Sequence, residues 1–156
     1  IGLTPQSADQ LGGFKPQGRT AATAHRLLDD AQALERAGCV AIVLEAMPEP
    51  VAARITSALT IPTIGIGAGA RCDGQVLVWH DLLGLGGVPE GHGNRVRVPK
   101  FVKQYAALGP QIVKALESYI ADVQAGRFPS AEHTYSMPDD ERERFEADVP
   151  PSRERR

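Results

Sequence analysis

Apolar residues recur at helical spacing at Ala24, Leu27, Leu28, Ala31 and Leu34, with Asp29, Asp30, Glu35 and Arg36 falling among them. That pattern predicts an amphipathic helix over residues 19–38, with Gly38 at its C-terminal end. The next run, Cys39-Val40-Ala41-Ile42-Val43-Leu44, is continuously apolar and partly β-branched. Unbroken apolarity over so short a length predicts a strand buried on both faces, as in a parallel sheet. It ends in Glu45. A second helix is predicted over residues 49–59, with Val51, Ile55 and Leu59 on one side. Residues 61–67 predict another buried strand, which runs into the Gly-rich Ala68-Gly69-Ala70. Asp73-Gly74 reads as a turn, and Val76-Leu77-Val78-Trp79 as a third apolar strand finishing in His80-Asp81.

Residues 1–18 are rich in Gly, Pro and Gln and read as loop. The opening Ile1-Gly2-Leu3-Thr4-Pro5 nevertheless resembles the end of a strand whose beginning lies elsewhere. Residues 82–99 are Gly-rich and predict a flexible surface loop. Helical pattern resumes at Lys100 and breaks at Gly109-Pro110, where Pro suits the first turn of a new helix. Ile112, Leu116, Tyr119, Ile120 and Val123 then form one stripe ending at Gly126. Residues 1–136 read as one structural piece. Residues 137–156 alternate acid and base with few apolar positions, and predict a largely disordered tail after one short exposed helical piece.

Helices alternating with continuous apolar strands mark βα units in a parallel sheet, hence an α/β fold. Three full strands and a stub are too few for a self-sufficient α/β domain. A closed (β/α)8 barrel takes about 250 residues, with about 200 near the floor. The expectation is therefore the later part of a larger barrel.

Composition narrows the class further. The chain has 156 residues, 42% hydrophobic and 23% charged, which is globular and not a disordered profile. Its 17 Lys+Arg against 19 Asp+Glu give a net charge of -2, which favours neither nucleic acid nor an anionic membrane as partner. No apolar stretch approaches the ~20 residues that span a bilayer. Two distant cysteines, Cys39 and Cys72, make no disulfide framework, so a reducing, cytoplasmic setting is expected.

Glu45 is the sharpest chemical candidate. A carboxylate where an apolar strand ends is desolvated on one side and open on the other, which raises its pKa and suits general acid/base work. Ligands in βα architectures bind at the carboxyl ends of strands, where Glu45 sits. The competing readings are an ion pair or a cap on the helix near Glu49. Gly65-Ile66-Gly67-Ala68-Gly69 fits neither GxGxxG nor GxxxxGK[ST], and reads as backbone that something approaches closely. Asp73, His80 and Asp81 lie at strand borders and read as structural. Adjacent strand residues point to opposite faces, so His80 and Asp81 could not easily share a metal. His25, His92 and His133 are isolated, His25 on an exposed part of the first helix. Cys39 and Cys72 lack an activating neighbour in sequence and read as structural thiols.

Together these segments resemble the ketopantoate hydroxymethyltransferase family. Ile1-Gly2-Leu3-Thr4-Pro5-Gln6, Gly12-Gly13-Phe14-Lys15 and Gln17-Gly18-Arg19 are similar to its fifth-strand exit. Val43-Leu44-Glu45-Ala46-Met47-Pro48 resembles its sixth-strand signature, where the family usually has Cys-Val between Glu and Pro. Ile61 through Gly69 with Cys72-Asp73-Gly74-Gln75 resembles the seventh strand, and Val76 to Asp81 the eighth. Pro99-Lys100-Phe101-Val102-Lys103, and Phe128-Pro129 with Glu132-His133, resemble the closing helices and C-terminal motif. Residues 87–97 are longer than the family's usual segment after the eighth strand. The resemblance covers about residues 1–135.

The resemblance implies a (β/α)8 TIM barrel of which this chain carries the last three strands, the exit of the fifth and the C-terminal helices. It implies a cytoplasmic homo-oligomer, often decameric, in pantothenate biosynthesis. The family's reaction moves a hydroxymethyl group from 5,10-methylenetetrahydrofolate to 3-methyl-2-oxobutanoate, giving 2-dehydropantoate through a Mg2+-stabilised enolate. The family's proton acceptor corresponds to Glu45. Its Mg2+ ligands lie on earlier strands, so no metal ligand is assigned here, and the 156 residues alone are expected to be inactive. Two alternatives stand beside this: another Mg2+-dependent oxoacid enzyme of the phosphoenolpyruvate mutase and isocitrate lyase type, or an inactive barrel fragment acting only in oligomerisation.

Overall fold

Thr20 opens the first helix, α1 (Ala21–Arg36), through a reciprocal cap: Thr23 N–H donates to Thr20 Oγ1 at 3.3 Å, and Thr20 N–H to Thr23 Oγ1 at 3.1 Å. Gly38, at φ +94°, lies just past its end. The computed structural model describes residues 1–7, 9–10, 13–86, 88–89 and 96–148. Two units divide the chain, Ile1–Pro110 and Gln111–Arg156.

The first unit is built on parallel strands. β1 (Ile42–Glu45) pairs with β2 (Thr63–Ile66), and β2 with β3 (Gly74–Gln75), in the order β1-β2-β3. A parallel bridge from Gly2 to Glu45 adds residues 1–3 on the other edge of β1. Residues 1–3 thus run alongside β1 through this isolated bridge and the hydrogen bonds of Ile1 and Leu3 to Glu45. α2 (Glu49–Ala58) crosses from β1 to β2, with Pro50 in its first turn. The core beneath the strands joins Ala31 of α1, Ile42 and Leu44 of β1, and Ala52 and Ile55 of α2. Across the helix-to-strand joint, Glu35 accepts from Thr60 N–H (2.7 Å), Thr60 Oγ1 (2.8 Å) and Ile61 N–H (3.2 Å).

The helices cover one face of this sheet. Ile42 and Leu44 are buried while Val43 between them is 46% exposed. The expectation of strands buried on both faces is thus not met among the described residues, because the opposite face has no cover there. In-register pairing places Val43 beside Ile64 and Glu45 beside Ile66 on that open face.

Three local expectations are corrected. The third strand is β3, so Gly74 is in a strand and not a turn, and Val76 to Trp79 form no strand. Val76 N–H still bonds the Gly65 carbonyl at 3.0 Å, but Gly67 takes φ +65° and ends the β2 edge, leaving Val78 no ladder partner. His80 and Asp81 sit instead in the single-turn helix α3 (Trp79–Leu82). Residues 100–107 are not helical. α4 (Leu108–Gln124) begins at Leu108 and takes Pro110 into its first turn, where Pro needs no intrahelical donor. Between α3 and α4 lies a short antiparallel pair, β4 (Val88–Pro89) with β5 (Val96–Arg97). Of the loop 82–99 expected to be flexible, residues 87 and 90–95 lie outside the described residues.

In the second unit the body of α4 carries the expected stripe, with Ile112, Leu116, Tyr119, Ile120 and Val123 all exposed. Phe128 packs edge-on against Tyr119 with ring centroids 5.5 Å apart. α5 (Asp139–Asp148) is a helix with every residue exposed. Residues 149–156 lie outside the described set.

Candidate active site

Glu45 is the last residue of β1, and its main chain is held on both sides. Its N–H donates to the Ile1 carbonyl at 2.9 Å, and its own carbonyl accepts from Leu3 N–H at 2.9 Å. Gly2, at φ +98°, approaches so closely that a Cβ there would strike the Glu45 carbonyl. Only glycine fits.

Beyond Glu45 the chain reverses at Ala46, φ +46°. The left-handed region costs a non-glycine residue about 1–3 kcal/mol, so the surroundings must hold it there. Three hydrogen bonds do so. Ala46 N–H donates to the Ile66 carbonyl (2.9 Å), Met47 N–H to the Gly67 carbonyl (3.2 Å), and Gln17 N–H to the Ala46 carbonyl (2.9 Å). Both Ala46 and Met47 are buried.

The Glu45 side chain stands half-buried on the open face, at the carboxyl end of the strand. Burial pushes its carboxyl above the ordinary 4.5. Among the described residues no side chain pairs with it. The cap reading also fails, since Pro48 is the N-cap of α2 and no side chain caps that helix. A carboxylate in such surroundings has the chemistry a general acid or base requires.

The other candidates resolve differently. Asp73 Oδ2 accepts from Thr63 N–H (2.8 Å) and Thr63 Oγ1 (3.0 Å), and Thr63 Oγ1 lies 2.8 Å from Thr56 Oγ1. The Thr63 main-chain hydrogen bond, above all, holds the Asp73 carboxyl below its ordinary 3.8. This is a structural tie between α2, β2 and β3. The sequence reading found Asp73 but missed Thr63, although a hydroxyl inside an apolar strand must find a partner. His80 and Asp81 share a helical turn, so the opposite-face argument no longer applies to them. Still, no three potential metal ligands converge among the described residues.

The glycine segment is close-packed by the chain's own side chains. A Cβ at Gly65 would lie 2.9 Å from Cys72 Sγ, one at Gly67 2.6 Å from Phe101 Cδ1, and one at Gly69 2.5 Å from Glu49 Cβ. That leaves no phosphate cradle. Cys39 and Cys72 are free thiols packed against the core. His25 is exposed on α1, and His133 Nδ1 lies 2.7 Å from Ser130 Oγ in the second unit. His92 is outside the described residues. An open hollow of about 350 Å³ beside residues 1–4 is lined by Thr4, Gln17, Thr23, Arg26 and Asp30 among others, but not by Glu45.

Ala46 was the feature sequence reasoning missed altogether. Nothing in an alanine announces a positive φ.

Comparison with known proteins gives the family. The family model described as ketopantoate hydroxymethyltransferase matches residues 1–131. A 3-methyl-2-oxobutanoate hydroxymethyltransferase of Oleidesulfovibrio alaskensis is 57% identical over 149 residues, covering 96% of this chain and 49% of the relative. Proteins of the same name from Geobacillus kaustophilus and Nitratidesulfovibrio vulgaris are 53% and 52% identical, covering 90% and 94% of this chain. They are matched over 48% and 45% of their own lengths, so the chain spans about half the length of these curated relatives. With most of its residues matched, and its parallel βα units and Glu45 signature in place, the chain belongs to the ketopantoate hydroxymethyltransferase family.

Proposed function

We propose that the whole protein transfers a hydroxymethyl group from 5,10-methylenetetrahydrofolate to 3-methyl-2-oxobutanoate, giving 2-dehydropantoate, with Glu45 as the base. The observation that carries this reading is the half-buried, unpaired Glu45 carboxylate at the strand end, pinned by the Gly2 and Ala46 contacts. Glu45 accepts the proton from C3 of the oxoacid. The electron pair left behind forms the enolate, whose C3 bonds to the one-carbon unit. With one water consumed, both carbon–nitrogen bonds of that unit to the folate break, tetrahydrofolate leaves, and the oxygen of that water becomes the new hydroxyl. The raised pKa makes Glu45 a stronger base than an exposed carboxylate.

A (β/α)8 barrel is the matching architecture. The open face carries Val43, Ile64 and Ile66, and a closed barrel buries such a face as its packed interior. The cation of this proposal is Mg2+. The described residues gather no ligand set for it, so its ligands are assigned elsewhere in the whole protein, and none of the steps above is routed through it. Among the described residues no helix is long and apolar enough to cross a membrane. The proposal takes the whole protein to be a cytoplasmic homo-oligomer.

The test is turnover of 3-methyl-2-oxobutanoate by the whole protein with Mg2+ and 5,10-methylenetetrahydrofolate. Formation of 2-dehydropantoate, lost on chelation and restored by Mg2+, is expected. Oxoacid consumption without any need for the folate would instead point to an enzyme of the phosphoenolpyruvate mutase and isocitrate lyase type.

A further inference from the structure

Ala46 is the one described residue other than glycine with a positive φ, and it directly follows Glu45. Its peptide groups are engaged on both sides: the N–H of Ala46 reaches the Ile66 carbonyl at the end of β2, that of Met47 reaches the Gly67 carbonyl just beyond it, and its own carbonyl is taken by Gln17 N–H. We propose that Ala46 is a positioning residue, whose left-handed turn ends β1 at Glu45 and so fixes where its carboxylate stands. An extended residue at 46 would carry the chain on past Ile66, and the bonds from β2 and Gln17 could not all form. Strain of this kind persists where the surrounding contacts over-determine the backbone, and here those contacts surround the candidate base. The methyl group itself is not what matters; what matters is a side chain that tolerates positive φ. Glycine adopts that conformation freely, whereas a β-branched residue strongly resists it.

This inference rests on Glu45 being the base, and the experiment separates the two. In the whole protein, solvent exchange of the C3 proton of 3-methyl-2-oxobutanoate is followed by NMR across pH for the parent, Ala46→Val and Ala46→Gly. Ala46→Val is expected to slow exchange at least tenfold with KM within about threefold, and to displace the acid limb of the pH profile. Ala46→Gly, the conservative replacement, is expected to restore the rate to within about threefold of the parent and to return the acid limb. Parent-like exchange in Ala46→Val overturns the positioning role while leaving Glu45 as base. Equal losses in both variants also overturn it, because the methyl would then be the operative group. If Ala46→Val does not accumulate as folded protein, Ala46→Gly decides alone. A displaced acid limb or a loss beyond tenfold in that variant overturns the proposal. A parent protein without exchange overturns the base assignment and this inference together.

Discussion

Asp73 and Glu45 are both carboxylates at strand borders, but their surroundings pull them in opposite directions. Asp73 gains hydrogen bonds from Thr63 and is held below 3.8, whereas Glu45 gains only burial and is pushed above 4.5. The sign of the consequence differs too. The contribution of Asp73 to stability is full above its unfolded pKa and disappears as pH falls through its lowered folded value. Asp73→Asn is therefore expected to lower the melting temperature at neutral pH, with the difference shrinking in acid. A pH-independent difference in thermal melts would count against the Thr63 tie. At this scale Glu45 was legible because a lone charge ended an apolar run. The partner of Asp73 was not, since contacts between residues ten positions apart depend on the register of β2 and β3. Ala46 was invisible for a stricter reason: its conformation is imposed by Ile66, Gly67 and Gln17, not by its own side chain.

Among the elements, α1 and α2 followed their sequence signals closely because local rules set them: the Thr20 cap, Gly38, and Pro50 in a first turn. The third strand did not. Apolarity at Val76, Leu77 and Val78 marks residues that need burial, yet pairing depends on whether the neighbour strand continues. Gly67 turns β2 away, so β3 pairs only at Gly74–Gln75. Gly67→Ala is a direct probe of that turn. The new methyl would meet Phe101 at 2.6 Å in a backbone region hostile to alanine. Destabilisation of about 1–3 kcal/mol is expected in denaturant unfolding. A loss below about 0.5 kcal/mol would show that the turn relaxes without cost. For α4, the periodic stripe and Pro110 in the first turn gave the helix, while the helical pattern read from Lys100 to 107 formed none.

For the molecule as a whole, the unbroken apolarity of β1 said that both faces of the sheet seek burial, and the described residues cover one. Val43 exposes 46% of its surface on the other face. If that face is the interior of a closed barrel in the whole protein, Val43→Asp buries an unpaired charge there. The expected cost is then about 3 kcal/mol or more, measured by equilibrium unfolding of the whole protein. A near-neutral Val43→Asp would mean the face stays open to water, and the barrel reading would fail. The oligomer and the cation rest on the resemblance alone, and the described residues gather no three potential metal ligands.

Everything functional turns on one carboxylate, so the sharpest test is Glu45→Gln in the whole protein, followed by C3 proton exchange of 3-methyl-2-oxobutanoate. Loss of a positioned general base is expected to slow exchange by about 10²–10⁴-fold. In the parent, the rate should rise with pH as the carboxyl ionises, with a midpoint above the ordinary 4.5. Exchange in Glu45→Gln at the parent rate, with the same pH profile, would contradict the assignment of Glu45 as the base.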